Sequence, residues 1–209
     1  LLWYYFIVSG DGYTLYYGNN PEQLGGEGMT YDHEPPSYQI TVYDRRTKTP
    51  DWFKHAIVYQ IFPDRFYRSS QGQSTLTGKT GAVIHSDWQD LPAYWKKENG
   101  DIRYYDFFGG NLAGIQEKLS YLKDLGVTAI YLNPIFESAS NHRYDTGDYH
   151  RVDPFLGTNE EFAAFCQTAK DMGIAVILDG VFSHTGADSI YFNRFHRYDS
   201  TGAYESKDS

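Results

Sequence analysis

Residues Asn111–Leu132 read NLAGIQEKLSYLKDLGVTAIYL, and the fold follows from this stretch. Leu112, Ile115, Leu119, Leu122 and Leu125 recur at spacings of three and four, which predicts an amphipathic helix over Asn111–Leu125. Gly126 supplies a natural helix stop. Val127–Leu132 (VTAIYL) then runs apolar without alternation, as a strand covered on both faces does. The same unit repeats downstream. Thr158 with Glu161 forms a capping box for a helix over Asn159–Met172, whose apolar face is Phe162, Phe165, Ala169 and Met172. Gly173 ends it, and Ile174–Leu178 (IAVIL) is another uninterrupted apolar strand. Upstream, Ala56–Phe62 (AIVYQIF) is the first of the series. Residues 56–182 therefore read as strand, loop, helix, strand, loop, helix, strand, an α/β class with a parallel sheet.

The connections are asymmetric. Helix-to-strand links are tight, at Gly126 and Gly173, while strand-to-helix links are long, including an irregular stretch from Tyr67 to Phe108. In such architectures the loops after the strands' C-terminal ends carry the site. Three sets of polar residues sit there: Asp64 and Arg65; Asn133 with His142, Arg143, Tyr144 and Asp145; and Asp179, Ser183 and His184. A parallel sheet brings all three to one rim.

Residues 1–43 read as strands of a different kind: Leu1–Val8, Tyr13–Tyr17 and Tyr38–Tyr43, rich in aromatic and β-branched residues. Ser9-Gly10-Asp11-Gly12 is a hairpin turn signal, and Asp44–Asp51 (DRRTKTPD) reads as a linker. Leu1–Val8 lacks a basic lead-in and a small-residue cleavage site, so no signal peptide is read; the compartment is not legible in the sequence, with cytoplasmic favoured over secreted.

Composition narrows the function. The 209 residues carry a net charge of −9, which argues against surfaces for nucleic acid or anionic membranes. No apolar run reaches the length of a membrane span, and the single Cys166 forms no internal disulfide. Aromatics reach 18 %, and with this charge they lean toward stacking on neutral sugar rings rather than on bases. Gly78-Lys79-Thr80 lacks the first glycine, the strand and the helix of a phosphate loop. No dinucleotide fingerprint, zinc-protease helix or serine-hydrolase elbow is present. His142, Asp145, Asp148 and His150 are read as hydrogen-bonded structure or substrate contacts, not as metal ligands.

Four runs carry a resemblance: Val58–Phe66 (VYQIFPDRF), Gly110–Phe136 (GNLAGIQEKLSYLKDLGVTAIYLNPIF), His142–Thr158 (HRYDTGDYHRVDPFLGT) and Asp179–Gly186 (DGVFSHTG). In that order they resemble the alpha-amylase family of glycoside hydrolases, most of all its neopullulanase, cyclomaltodextrinase and maltogenic-amylase branch. Tyr16–Asn20 (YYGNN) and Pro36–Asp44 (PSYQITVYD) are similar to that branch's N-terminal β-domain. The resemblance implies the first three strands of a (β/α)₈ barrel, preceded by the end of a β-sandwich-like domain. Residues 1–50 would close that domain and form the linker, 51–184 would open the catalytic barrel, and 185–209 would begin a domain inserted after the third strand. It also implies retaining cleavage of α-1,4, and in some members α-1,6, glucosidic bonds of maltodextrin, cyclodextrin, pullulan or starch.

Carried over residue by residue, Tyr144 resembles the aromatic that stacks under glucose at the cleavage subsite, and His142 the histidine beside it. Asp179 and His184 match the ends of a D-x-x-x-N-H signature, the first a site-organising carboxylate and the second a donor to the sugar's 6-hydroxyl. The nucleophile and the acid/base are expected beyond Ser209, so no catalytic carboxylate is assigned within the 209 residues. Calcium is doubted because Ser183 replaces the usual Asn, and no other metal or cofactor is called for. The partner is an α-glucan, with a homodimer compatible with the full-length enzyme. A stand-alone carbohydrate-binding or interaction module is the alternative reading.

Overall fold

In the computed structural model, which describes residues 1–93, 96, 98, 100 and 105–206, the chain divides into two compact units, Leu1–Pro50 and Asp51–Ser209. Part of the Tyr67–Phe108 stretch and the last three residues of the 185–209 segment lie outside the described residues.

In the first unit, β1 (Leu2–Tyr4) is followed by β2 (Phe6–Gly10), β3 (Tyr13–Gly18), β4 (Met29–Tyr31) and β5 (Tyr38–Ile40). The run expected as one strand over Leu1–Val8 is two strands, broken at Tyr5. The reason is pairing. Tyr4 faces Tyr38 on β5, whereas Phe6 faces Tyr17 on β3, so the chain changes sheets between them. The Tyr4 and Tyr38 rings stack at 5.5 Å, a cross-strand aromatic pair that fixes the β1–β5 register. The β2–β3 hairpin turns at Asp11-Gly12, where Gly12 has a φ of 82°, as the turn signal requires.

The second unit opens with α1 (Asp51–Lys54), β6 (Val58–Ile61) and a single 3₁₀ turn (Pro63–Arg65). The short strands β7 (Val83–Ile84) and β8 (Asp106–Phe107) follow, then α2 (Leu112–Glu117), α3 (Leu119–Asp124) and β9 (Ala129–Leu132). A hairpin of β10 (Phe136–Ser138) and β11 (Thr146–Val152) leads to α4 (Asn159–Asp171) and β12 (Ala175–Leu178). Strands β6, β9 and β12 form one parallel sheet with β9 in the middle. Their register is level: Ile61, Leu132 and Leu178 lie side by side. The ladder continues past them, with the Asn133 N–H on the Ile61 carbonyl and the Asp179 N–H on the Leu132 carbonyl, both at 3.0 Å. Asn133 and Asp179 are thereby fixed on one rim.

The core beneath this rim is Ile61, Leu112, Ile115, Leu119, Leu122, Ile130, Leu132, Phe165 and Ala169, with their neighbours. The helix expected over Asn111–Leu125 is split at Lys118, whose ψ is 0° and whose N–H bonds back to Ile115. The tightened turn still keeps Ile115 and Leu119 both buried, but it leaves Leu125 55 % exposed, outside the face assigned to it. The β10–β11 hairpin lies inside what the sequence offers as loop. Apart from Gly147 and Val152, its buried residues are the polar Glu137, Ser138, Thr146 and Asp148, which give no apolar alternation. No helix among the described residues is long and apolar enough to cross a membrane.

Helix α4 starts on a complete capping box. The Glu161 N–H donates to Thr158 Oγ1 at 3.2 Å, and the Thr158 N–H donates to Glu161 Oε2 at 3.0 Å. Thr158→Ala is expected to lower stability by about 1 kcal/mol. Chemical denaturation checks this; an unchanged midpoint would mean that packing of Phe165 and Ala169 alone sets the helix start.

Candidate functional site

The rim of the parallel sheet receives its side chains from β9, β12 and the loop inside the β10–β11 hairpin. Asp179 follows β12 directly. Its Oδ2 accepts the hydroxyl proton of Tyr144 at 2.7 Å. Tyr131, from β9, lies near enough that this carboxylate acts on its phenol. Burial, reinforced by the Asp179 carboxylate, pushes the Tyr144 phenol up to about 12 and raises that of Tyr131 as well. Both phenols therefore remain donors at neutral pH.

His142 stands beside Tyr144, ring centroids 5.9 Å apart. The Tyr144 N–H donates to His142 Nδ1 at 3.1 Å, which leaves the proton of a neutral ring on Nε2. Burial lowers the His142 pKa, opposed by Asp145 and aided by Arg143, so the ring is neutral at pH 7. Asp145 is fixed by Ser138 Oγ at 2.7 Å and by a short bond from Ser140 Oγ, whose oxygen also lies 3.1 Å from His142 Nδ1.

Between His142 and Tyr144 the backbone is contorted. Arg143 has a φ of 62°, a left-handed value that a side chain rarely adopts. Its guanidinium is fully buried, with Nη1 donating to the Asn141 carbonyl at 2.7 Å and Nε 3.1 Å from Asp153. Asp153 also takes a short ion pair from Lys79 Nζ. Burial pulls the Lys79 pKa down to about 8, although Asp153 opposes the shift. The Gly78-Lys79-Thr80 segment thus serves as an internal anchor. Arg143 goes inward, while His142 and Tyr144 are left half-exposed on either side of it.

The structure joins Tyr144, His142 and Asp179 directly. His184 is held differently: its Nδ1 lies 3.1 Å from Ser183 Oγ, and its carbonyl accepts from Tyr149 Oη at 3.1 Å. Asp64, expected among the rim groups, is turned inward and has no exposure. It accepts the N–H groups of Phe108 and Gly109 and pairs with Arg65 at 2.9 Å, so it clamps the loop before α2. Burial raises its pKa against those partners. Tyr131 is the group that sequence reading misses, because its hydroxyl is hidden in the apolar run VTAIYL. Gln60, whose amide donates to Asn133 Oδ1 at 2.7 Å, is another. Among the described residues no cluster of three or more His, Cys, Asp or Glu is arranged to hold a metal ion.

Removing the Asp179 charge is expected to lower the Tyr144 pKa from about 12 toward, but not down to, the ordinary value near 10, since burial is the larger cause. NMR of tyrosine ring carbons in Asp179→Asn, with Tyr144→Phe for assignment, reads this out. A Tyr144 titration that does not move would mean that the 2.7 Å bond is absent in solution.

A family model described as alpha amylase, catalytic domain, matches residues 60–208. An amylopullulanase of Thermoanaerobacterium saccharolyticum is 50 % identical over 98 % of the chain, which spans 17 % of that protein. A cyclomaltodextrinase of Thermoanaerobacter pseudethanolicus is 35 % identical over 91 % of the chain, which spans 30 % of it. Among solved structures, the cyclic α-maltosyl-(1→6)-maltose hydrolase of Arthrobacter globiformis in complex with its named saccharide superposes with a TM-score of 0.60. It is 34 % identical, over 76 % of this chain and 32 % of that one. The level rim of a parallel sheet, the motif order and a family match over most of the length agree: the chain belongs to the alpha-amylase family.

Proposed function

We propose that these residues belong to a retaining glycoside hydrolase that cleaves α-1,4 bonds, or as in some members of the family α-1,6 bonds, of an α-glucan such as maltodextrin, cyclodextrin, pullulan or starch. The observation that carries this reading is the Tyr144–Asp179 hydrogen bond at the C-terminal rim of the sheet. It fixes an aromatic face and a carboxylate next to one another, as recognition of a sugar ring needs. The printed names of the relatives, an amylopullulanase and a cyclomaltodextrinase, support the substrate class.

In this reading β6, β9 and β12 are the first three strands of a (β/α)₈ barrel, whose sites lie at this end. Residues 1–50 close a β-sandwich-like domain and its linker, 51–184 open the barrel, and 185–209 begin the inserted domain. Tyr144 stacks under the reacting glucose. His142, neutral and protonated on Nε2, donates to a sugar hydroxyl, and so does His184 from its exposed loop. Asp179 organises the site through the Tyr144 phenol it accepts from and the nearby phenol of Tyr131. The nucleophile and the acid/base, about 5–5.5 Å apart in a retaining enzyme, belong to other strands of the barrel. Ser183 is a poor calcium ligand, exposed and facing His184, so the proposed site uses no calcium. The acidic surplus sets the surface against nucleic acid and anionic membranes, and a homodimer is compatible with the full-length enzyme.

Exposed aromatics in the first unit, Trp3, Phe6 and Tyr13 among them, favour a second reading as a glucan-binding module without catalysis. The two readings separate on one titration. Tyr144→Ala and His184→Ala are each expected to weaken maltotriose binding about tenfold. Binding that survives both substitutions and is lost on Trp3→Ala or Phe6→Ala would put the sugar on residues 1–50. The 209-residue polypeptide alone is expected to show no turnover of maltodextrin, cyclodextrin or pullulan. Turnover abolished by His184→Ala would put the nucleophile among its own carboxylates.

A further inference from the structure

The two polar residues after β6 do not reach the rim, yet a series of contacts leads from them to it. Asp64 accepts the N–H groups of Phe108 and Gly109 and so fixes the backbone just past β8. Arg65 lays its guanidinium 4.3 Å from the centre of the Phe108 ring. Its Nη2 donates to the Asp106 carbonyl at 3.1 Å and lies 3.3 Å from Asp106 Oδ1. Asp106, on β8, is buried, and its Oδ2 accepts the Ala93 N–H at 3.1 Å and faces His85 Nε2 at 3.5 Å. From the hairpin comes Asn141, also buried, whose Nδ2 donates to the Asp106 carbonyl at 2.8 Å and to Oδ1 at 2.9 Å. The next residue is His142. We propose that Asp106 is a positioning residue of the rim: held by Arg65, it binds the Asn141 amide and thereby fixes the placement of the His142 ring. This deepens the glucan reading above, and its consequence for a sugar rests on that reading.

Three observations carry the proposal. First, the turn over residues 140–145 is tied at three points. Asp145 takes the hydroxyls of Ser138 and Ser140 at the downstream end, the Arg143 side chain runs to Asp153 in the middle, and the Asn141 side chain runs to Asp106 upstream. Two ties leave a segment free to pivot about the line joining them; a third arrests the pivot. His142 lies between the upstream tie and the middle one. Second, Asn141 is fixed on both sides, because its own carbonyl accepts Arg143 Nη1 at 2.7 Å while its amide donates to Asp106. An amide donating to a carboxylate makes a stronger bond than one donating to a neutral oxygen. Third, Asp106 is a fixed post. A buried carboxylate needs paired charge and hydrogen bonds, and Arg65 and the Ala93 N–H supply them from elements other than the hairpin. An acceptor already in place orders its partner at little further entropic cost.

The test is NMR of the 209-residue chain labelled at histidine nitrogen, with His142→Gln for assignment. Wild type, Asp106→Ala, Asp106→Asn and Asn141→Ala are compared, with Thr158→Ala as a control destabilised away from the turn. In wild type the His142 Nδ1 signal is expected in its unprotonated position, with the ring titrating below the ordinary 6.5, and the Asn141 amide protons are expected to exchange slowly. In Asp106→Ala and Asn141→Ala the freed ring mixes both tautomers, and its pKa rises toward 6.5 as solvent reaches it. Asp106→Asn keeps an oxygen for the Asn141 amide and brings the tautomer back; Thr158→Ala leaves the ring as in wild type. A His142 ring unmoved in Asp106→Ala overturns the proposal, whatever the loss of stability. If Asp106→Ala does not fold, wild-type amide exchange and Asn141→Ala decide: fast exchange, or an unmoved ring, overturns it. Titration with maltotriose runs in parallel, with affinity expected to fall about tenfold in Asn141→Ala. A moved ring with unchanged affinity overturns the proposal at its functional step. No binding in wild type overturns the glucan reading and leaves the positioning to be judged by the ring signals, which need no ligand.

Discussion

The buried carboxylate of Asp153 is the point on which the site-bearing loops depend. It has no solvent exposure, and it receives Lys79 from the loop after β6, Arg143 from the tip of the β10–β11 hairpin, and the N–H of Phe155 at 2.9 Å. Its own N–H donates to the Ile135 carbonyl at 2.8 Å. Three segments distant in sequence are thereby drawn to one atom group. A carboxylate in this position is tolerable only if it is fully paired, because an uncompensated buried charge costs several kcal/mol. The pairing is what makes the arrangement specific. Neither cation can leave without stranding the other two groups, so the left-handed turn at Arg143 is held despite its strain. The aromatic rings of Phe107 and Phe155, 5.2 and 4.8 Å from Lys79 Nζ, close the pocket around the charges.

That anchor and the parallel sheet solve different parts of one problem. The sheet sets height: with Ile61, Leu132 and Leu178 level, whatever follows each strand emerges on the same rim. The anchor sets direction: it buries Arg143 so that the residues before and after it remain accessible. Only where both hold do a tyrosine from a hairpin and an aspartate from a strand end meet at 2.7 Å. The hairpin is itself polar inside, with Ser138, Ser140 and Asp145 bonded to one another. The shape of its loop therefore rests on hydrogen bonds, while Val152 at its end packs into the core.

This division explains what the sequence discloses. The apolar strands, the helical faces of α2 to α4, the stops at Gly126 and Gly173 with φ of 90° and 75°, and the cap at Thr158 all depend on local chemistry, and all are legible. The rim assignment of Tyr144 and Asp179 is legible through the loop asymmetry and the motif order. The β10–β11 hairpin is not, since apart from Val152 its buried side chains are polar, and their partners lie across the hairpin loop or, for Glu137, at distant Arg197. The inward turn of Asp64 is hidden for the same reason: its partners Phe108 and Gly109 lie across a long loop. Tyr131 is missed because period-based reading counts a tyrosine in a strand as apolar. The break at Lys118 has no glycine or proline to announce it.

The protonation states give the rim a single character. Tyr144, with a phenol near 12, donates to Asp179 throughout the neutral range, so the polarity of that bond never reverses. His142 is neutral, with Nδ1 occupied as an acceptor, so its ring proton sits on Nε2. The rim thus combines a carboxylate, a neutral N–H donor and aromatic faces, and the chain as a whole carries −9. An anionic ligand would meet repulsion from the chain as a whole and only a neutral imidazole at the rim. A cation would find the Asp179 carboxylate already engaged by the phenol of Tyr144. A ligand with hydroxyls that both donate and accept, and with a ring face that needs no charge, satisfies every group present. Under the proposed function, the chemistry of a sugar is selected by what the rim withholds as much as by what it offers.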